Sequence, residues 1–155
     1  MVTLFGHGIY DLVATTKYSR FHGTSVAWEF VEAPSQMLEN WCCTKAQLAS
    51  LSSHYVTCEK IPASLVDSII RSKHVNKSIF NLRQLHLAFF DMKMHDIPSP
   101  GILDTLEPSI EFNKLRPEVS GLGGPDGSRY DFGNGHTRWG HLMGGYDAGY
   151  YGYLE

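Results

Sequence analysis

Two short stretches hold the side chains best suited to chemistry. Near the start, Phe5-Gly6-His7-Gly8 reads like the second half of a helical motif whose first half is missing. A helix bearing His-Glu-x-x-His sets two imidazoles on one face, where they hold zinc while the Glu beside them acts as general base. Here Thr3 and Leu4 stand where that imidazole and carboxylate are needed. Glu32 follows in the largely apolar run Phe30-Val31-Glu32-Ala33. An unpaired carboxylate is costly to bury, so Glu32 should have a partner: a metal, His7 or a basic side chain. Toward the other end stand His141, Tyr146, Tyr150 and Tyr153. Imidazoles and phenols donate hydrogen bonds to an oxygen that develops negative charge. Gly144, Gly145, Gly149 and Gly152 would let the backbone lie close to an extended peptide. A tyrosine-rich packing surface would use the same residue types.

Among the other histidines, His22, His54, His74, His86 and His95 have no ligand spacing with each other, and His136 sits beside the tail segment. His86 reads as a hydrogen-bonded core residue. Cys42, Cys43 and Cys58 form neither a disulfide framework nor a zinc-ribbon pattern. Reduced thiols of this kind suit an intracellular, cytoplasmic location. A net charge of −3 gives no reason to expect a nucleic-acid partner. No apolar run is long enough to span a membrane, and the first residues lack the pattern of a secretory signal.

The elements that must position these groups are mainly helical. At 43% apolar and 155 residues, the chain is long enough for one domain with a real core. Pro34 and Ser35 can open a helix whose stripe runs through Met37, Leu38, Trp41, Leu48 and Leu51. Pro62 sits early in a second helix carrying Leu65, Val66, Ile69 and Ile70. The pattern predicts a third over about 77–95, apolar on nearly all sides and therefore buried, ended by Pro98, Pro100 and Gly101. Strand alternation is confined to short pieces near 15–21. From Gly121 onward the character changes, for eleven of fifteen glycines and five of eight tyrosines lie there. Gly121 to Gly127 reads as a mobile loop. Both ends of the chain stop without capping signals, as expected of a piece of something larger.

Several of these strings resemble one family, the thimet oligopeptidase family of zinc metallopeptidases. They are Phe5-Gly6-His7-Gly8-Ile9, Tyr18 to Thr24, Phe30-Val31-Glu32-Ala33-Pro34-Ser35-Gln36, Phe80-Asn81-Leu82-Arg83-Gln84-Leu85 and Gly140 to Leu154. The resemblance covers essentially the whole chain but only the rear part of the family's catalytic domain. It implies a mostly α fold, a partial zincin-like helical metallopeptidase domain with its active site in a deep channel. Residues 1–155 are then one partial domain, helical over 1–117, with a Gly/Tyr-rich substrate loop and helix over 118–155. His7 matches the family's second zinc-binding His, and Glu32 its third ligand. His141, Tyr146, Tyr150 and Tyr153 match residues that bind substrate and stabilise the oxyanion, His141 and Tyr150 being the catalytic pair. Gly144 and Gly145 belong with the substrate-binding residues.

The departure is equally specific. The family reads Leu-Phe-His-Glu-x-Gly-His-Gly, and this chain reads Leu4-Phe5-Gly6-His7-Gly8. A gap of about three residues is nearly one turn, so a helix closes over it with a rotation of about 60°. Tyr10 stands where the family commonly has another His. The resemblance implies zinc, yet two inherited ligands fall below the three usual at a catalytic site, so the metal should be weakly held or absent. Three functions follow: a zinc oligopeptidase segment acting on short peptides, a pseudo-peptidase that binds peptides without cutting, or a channel reused for peptide-derived metabolites. Self-association through exposed apolar surface is also expected.

Overall fold

The computed structural model describes residues 2–125 and 129–154. It separates into two compact units, Met1–Lys77 and Ser78–Glu155. Among the described residues there are helices and turns and no strand, the mostly α fold that the resemblance implies.

In the first unit, α1 spans Val2–Val13 and packs against α3, Ala33–Trp41, with the four-residue α2, Trp28–Val31, leading into it. Gly6 explains the closeness of that packing. A Cβ at this position would lie 2.6 Å from Ser35 Cα, a contact no side chain tolerates. Between α1 and α2, residues 15–21 form no strand. Ser19–Phe21 is a single 3₁₀ turn, closed by Phe21 and His22 amides on the Tyr18 and Ser19 carbonyls, each at 3.1 Å.

The long helix expected from Pro34 to Leu51 is broken into α3 and α4, Lys45–Leu51. Thr44 takes an extended backbone, and its hydroxyl accepts a hydrogen bond from the Gln47 amide at 3.4 Å. A threonine cap of this kind starts a new helix, so the apolar stripe continues across an interruption. Pro62 is the residue before α5, Ala63–Ser72, rather than inside it. Lys45 pairs with Asp67 at 2.6 Å, and that ammonium lowers the Asp67 carboxyl below its usual range.

The second unit is built on α6, Lys77–His95, the helix that the apolar pattern predicts. It is not buried on all sides. His86, Leu87, Ala88, Phe90 and Asp91 are buried, whereas Ile79, Phe80, Phe89 and Met92 are exposed. The short α7, Pro100–Leu103, is followed by α8, Pro108–Ser120, which ends on Gly121 in the left-handed region (φ +70°). Phe112 of α8 meets Phe90 edge-on at 5.0 Å. The loop expected at Gly121–Gly127 is present as far as Pro125, while Asp126 and Gly127 lie outside the described residues. Three 3₁₀ turns follow, Gly135–Arg138, Gly140–Met143 and Tyr150–Leu154, and bring Trp139, Tyr150 and Tyr153 onto Leu87 and Ala88 of α6.

Candidate active site

In the first unit, α1 carries His7 and the junction between α2 and α3 carries Glu32. Their side chains meet: His7 Nε2 lies 3.4 Å from Glu32 Oε2. Glu32 is buried at 4% exposure, and Ser35 Oγ donates to both its carboxylate at 3.0 Å and its carbonyl at 2.8 Å. Of the partners the sequence allowed for this carboxylate, His7 is therefore present. The serine hydroxyl is one that sequence reasoning missed, although its place in the first turn after Glu32 puts it within reach.

The spacing of this pair bears on zinc. Two donors each about 2.0–2.2 Å from a tetrahedral zinc stand about 3.3–3.5 Å apart. His7 and Glu32 thus lie at the length of one edge of such a tetrahedron. The rest of the site does not fit. Among the described residues no three His, Cys, Asp or Glu side chains gather where they would hold one ion. His7 Nδ1 is buried without a hydrogen-bond partner, whereas a metal-bound imidazole ordinarily donates its second N–H to a carbonyl or carboxylate. The residues present supply an incomplete set, and no chemical step is routed through a metal here.

The second unit gathers the tail residues. His141 lies 5.4 Å from Tyr146, 5.5 Å from Tyr150 and 5.7 Å from Tyr153, ring centre to ring centre. Tyr153 in turn lies 5.2 Å from Tyr146 and 4.9 Å from Tyr150. All four expected side chains form one cluster. His141 is exposed, Tyr146 and Tyr153 are half-buried, and Tyr150 is buried with its hydroxyl donating to Gln84 Oε1 at 2.7 Å. Burial raises the Tyr150 phenol above its ordinary value, so it keeps its proton at neutral pH. To donate to a substrate oxygen it must exchange the bond to Gln84.

Two of the glycines have local reasons to be glycine. A Cβ on Gly144 would sit 2.6 Å from the Gly140 carbonyl oxygen, and Gly145 has φ +92°. What fixes the tail is Asp91, a carboxylate with no exposure on α6. It accepts the amides of Ala148 and Tyr150, each at 3.1 Å, and lies 3.0 Å from His95 Nδ1. Sequence reasoning did not find it, although one acid inside Phe89-Phe90-Asp91-Met92 is the signal of a buried polar anchor. Asn113 plays a similar part, donating to the Tyr130 and Gly133 carbonyls at 2.7 and 3.0 Å and holding the loop that leads to His136. His86 is the satisfied core residue expected, with Nε2 2.9 Å from the Phe112 carbonyl.

The described chain is thus mostly helical, with a His–Glu pair in one unit and an imidazole–phenol cluster in the other. Comparison with known proteins makes this specific. The model described as peptidase family M3 matches residues 2–154. Saccharolysin of Saccharomyces cerevisiae is 51% identical over 164 aligned residues, covering 99% of this chain and 21% of that protein. Thimet-like oligopeptidase of Dictyostelium discoideum is 38% identical, and oligopeptidase A of Escherichia coli 37%, each covering 97% of this chain and 21% of the relative. The chain belongs to peptidase family M3, and it spans about 21% of the length of these relatives. The saccharolysin alignment is longer than the 155-residue chain, so that relative carries residues within the stretch that this chain lacks.

Proposed function

We propose that this chain is a segment of a thimet-type zinc oligopeptidase, and that its own part in peptide processing is to bind short peptides. The single observation that supports this best is the cluster of His141 with Tyr146, Tyr150 and Tyr153, which sets three phenols within 5.7 Å of one imidazole, ring centre to ring centre. A peptide lying across it would meet His141 first, the exposed member, with the half-buried phenols of Tyr146 and Tyr153 beside it. Hydrogen bonds to carbonyl oxygens orient the backbone, and aromatic faces cover side chains. In the complete enzyme His141 and Tyr150 would steady the oxyanion, while His7 and Glu32 would contribute two of three metal ligands.

The missing imidazole and general base favour binding without cutting for the chain by itself, the pseudo-peptidase reading. Its free cysteines suit work in the cytoplasm. Among the described residues no helix is long and apolar enough to cross a membrane.

Titration with a short fluorescent peptide tests the proposal. Saturable binding is expected, weakened roughly two- to tenfold by Tyr146→Phe or Tyr153→Phe, as the loss of one hydrogen bond predicts. Binding that neither change affects, or none at all, would refute it.

A further inference from the structure

A second feature of the same unit borders its aromatic core. Between α6, α8 and the Gly135–Arg138 turn lies an open cavity of about 620 Å3. Arg83, Arg116 and Arg138 all line it, one from each element, and among the described residues no Asp or Glu does. None of the three guanidiniums has a carboxylate within salt-bridge distance among the described residues. Three guanidiniums around one hollow make it attractive to an anion.

The walls say what kind of anion. Phe112 and Trp139 line the cavity with the aliphatic side chains of Ile79 and Leu87, so part of the ligand must be apolar. His86, buried at the edge of the hollow, gives its Nε2 to the Phe112 carbonyl. Its burial, with Arg116 and Arg83 nearby, lowers its basicity and keeps it from adding a fourth charge. Trp139 meets Tyr150 edge-on at 4.6 Å, so one indole separates the cavity from the phenol cluster. A planar guanidinium fork matches a carboxylate in two parallel hydrogen bonds.

We propose that the cavity lined by Arg83, Arg116 and Arg138 binds the carboxylate of an apolar residue, the free C-terminal end of a short peptide. The identity of the ligand as a peptide rests on the reading under Proposed function; the preference for an apolar carboxylate rests on the cavity alone. It makes the chain a reader of peptide ends, selecting substrates that finish in a large apolar side chain.

The test uses the whole chain with Trp28→Phe and Trp41→Phe, leaving Trp139 as the one tryptophan, and follows its fluorescence. N-acetyl-phenylalanine should quench it saturably, and N-acetyl-phenylalanine amide should bind at least about tenfold more weakly for want of the charge-assisted bonds. Arg116→Gln and Arg138→Gln should each weaken the acid by about fivefold or more, and Arg116→Lys should recover only part of the loss because the fork is gone. Circular dichroism confirms that these variants, altered at exposed side chains, remain folded. Equal binding of acid and amide would overturn the proposal. So would inorganic phosphate binding as tightly as the acid, which marks a bare anion site. If N-acetyl-phenylalanine binds and short peptides do not, the cavity assignment stands and the peptide-binding function fails. If peptides bind with and without a free carboxylate alike, and Tyr146→Phe weakens both, the function stands and the cavity assignment fails.

Discussion

Glu32 is a carboxylate whose surroundings are defined on two sides, by the His7 imidazole and the Ser35 hydroxyl. The first unit therefore keeps two donors at zinc-edge spacing, with no third among the described residues to close the set. Each lost ligand removes part of the binding free energy directly, so zinc should be held weakly. Elemental analysis after exhaustive dialysis is expected to find well under one zinc per chain; one retained ion per chain would show that a third donor exists. His86 supplies a different prediction. Burial lowers its folded-state pKa below the unfolded value, so its neutral form stabilises the fold above about pH 6.5. That contribution is lost as pH falls below the unfolded value toward the lowered folded one. The urea midpoint should therefore fall between about pH 7 and pH 5, and His86→Gln should flatten that part of the profile. A profile of the same slope in the variant would assign the pH dependence elsewhere.

At the scale of elements, the anchor that matters most is Asp91, which ties α6 to the tail amides of Ala148 and Tyr150. Asp91→Ala leaves two amides without their acceptor and should cost about 3 kcal/mol, with Asp91→Asn, which keeps one acceptor oxygen, costing less. Urea unfolding gives the cost, and near-ultraviolet dichroism should show loosening around Trp139 and Tyr150. An unchanged midpoint for Asp91→Ala would mean that the tail is held by its aromatic packing instead. This anchor also shows where the sequence stopped being legible. The helix over 77–95 is legible from its many apolar residues and from Pro98, Pro100 and Gly101 beyond it, and the cluster at 141–153 because its residue types are rare together. The bond from Asp91 to Tyr150 was not, since nothing local to either residue announces a partner so far along the chain. The break at Cys42-Cys43-Thr44 was hidden for another reason. Its apolar stripe continues in phase on both sides, while α3 stops at Trp41 with Cys42 as its C-cap and the Thr44 hydroxyl caps a new helix. The burial of α6 was overestimated because an all-round apolar sequence says how much a helix can bury, not how much neighbouring chain covers it.

Across the whole molecule, large apolar side chains greatly outnumber their burial sites. Among the described residues Val31, Val66, Leu87, Ala88, Phe90 and Tyr150 are the buried apolar ones, while Phe5, Leu12, Trp41, Tyr55 and Met143 are each more than 60% exposed. Contiguous apolar surface beyond a few hundred Å2 drives association. Size-exclusion chromatography over a concentration series should show self-association, with dye binding to apolar surface; a monomer at all concentrations that binds no dye would contradict this.

Family membership and chemistry meet in one further measurement. The chain belongs to a peptidase family, yet Thr3 and Leu4 stand where an imidazole and a general base are required. General-base help alone is worth about 10² to 10⁴ in rate, and an incompletely held metal removes more. The decisive assay is cleavage of a quenched fluorescent peptide by the 155-residue chain with zinc added, with and without a chelator. The rate should be indistinguishable from buffer in both cases; rapid cleavage that the chelator abolishes would contradict the account.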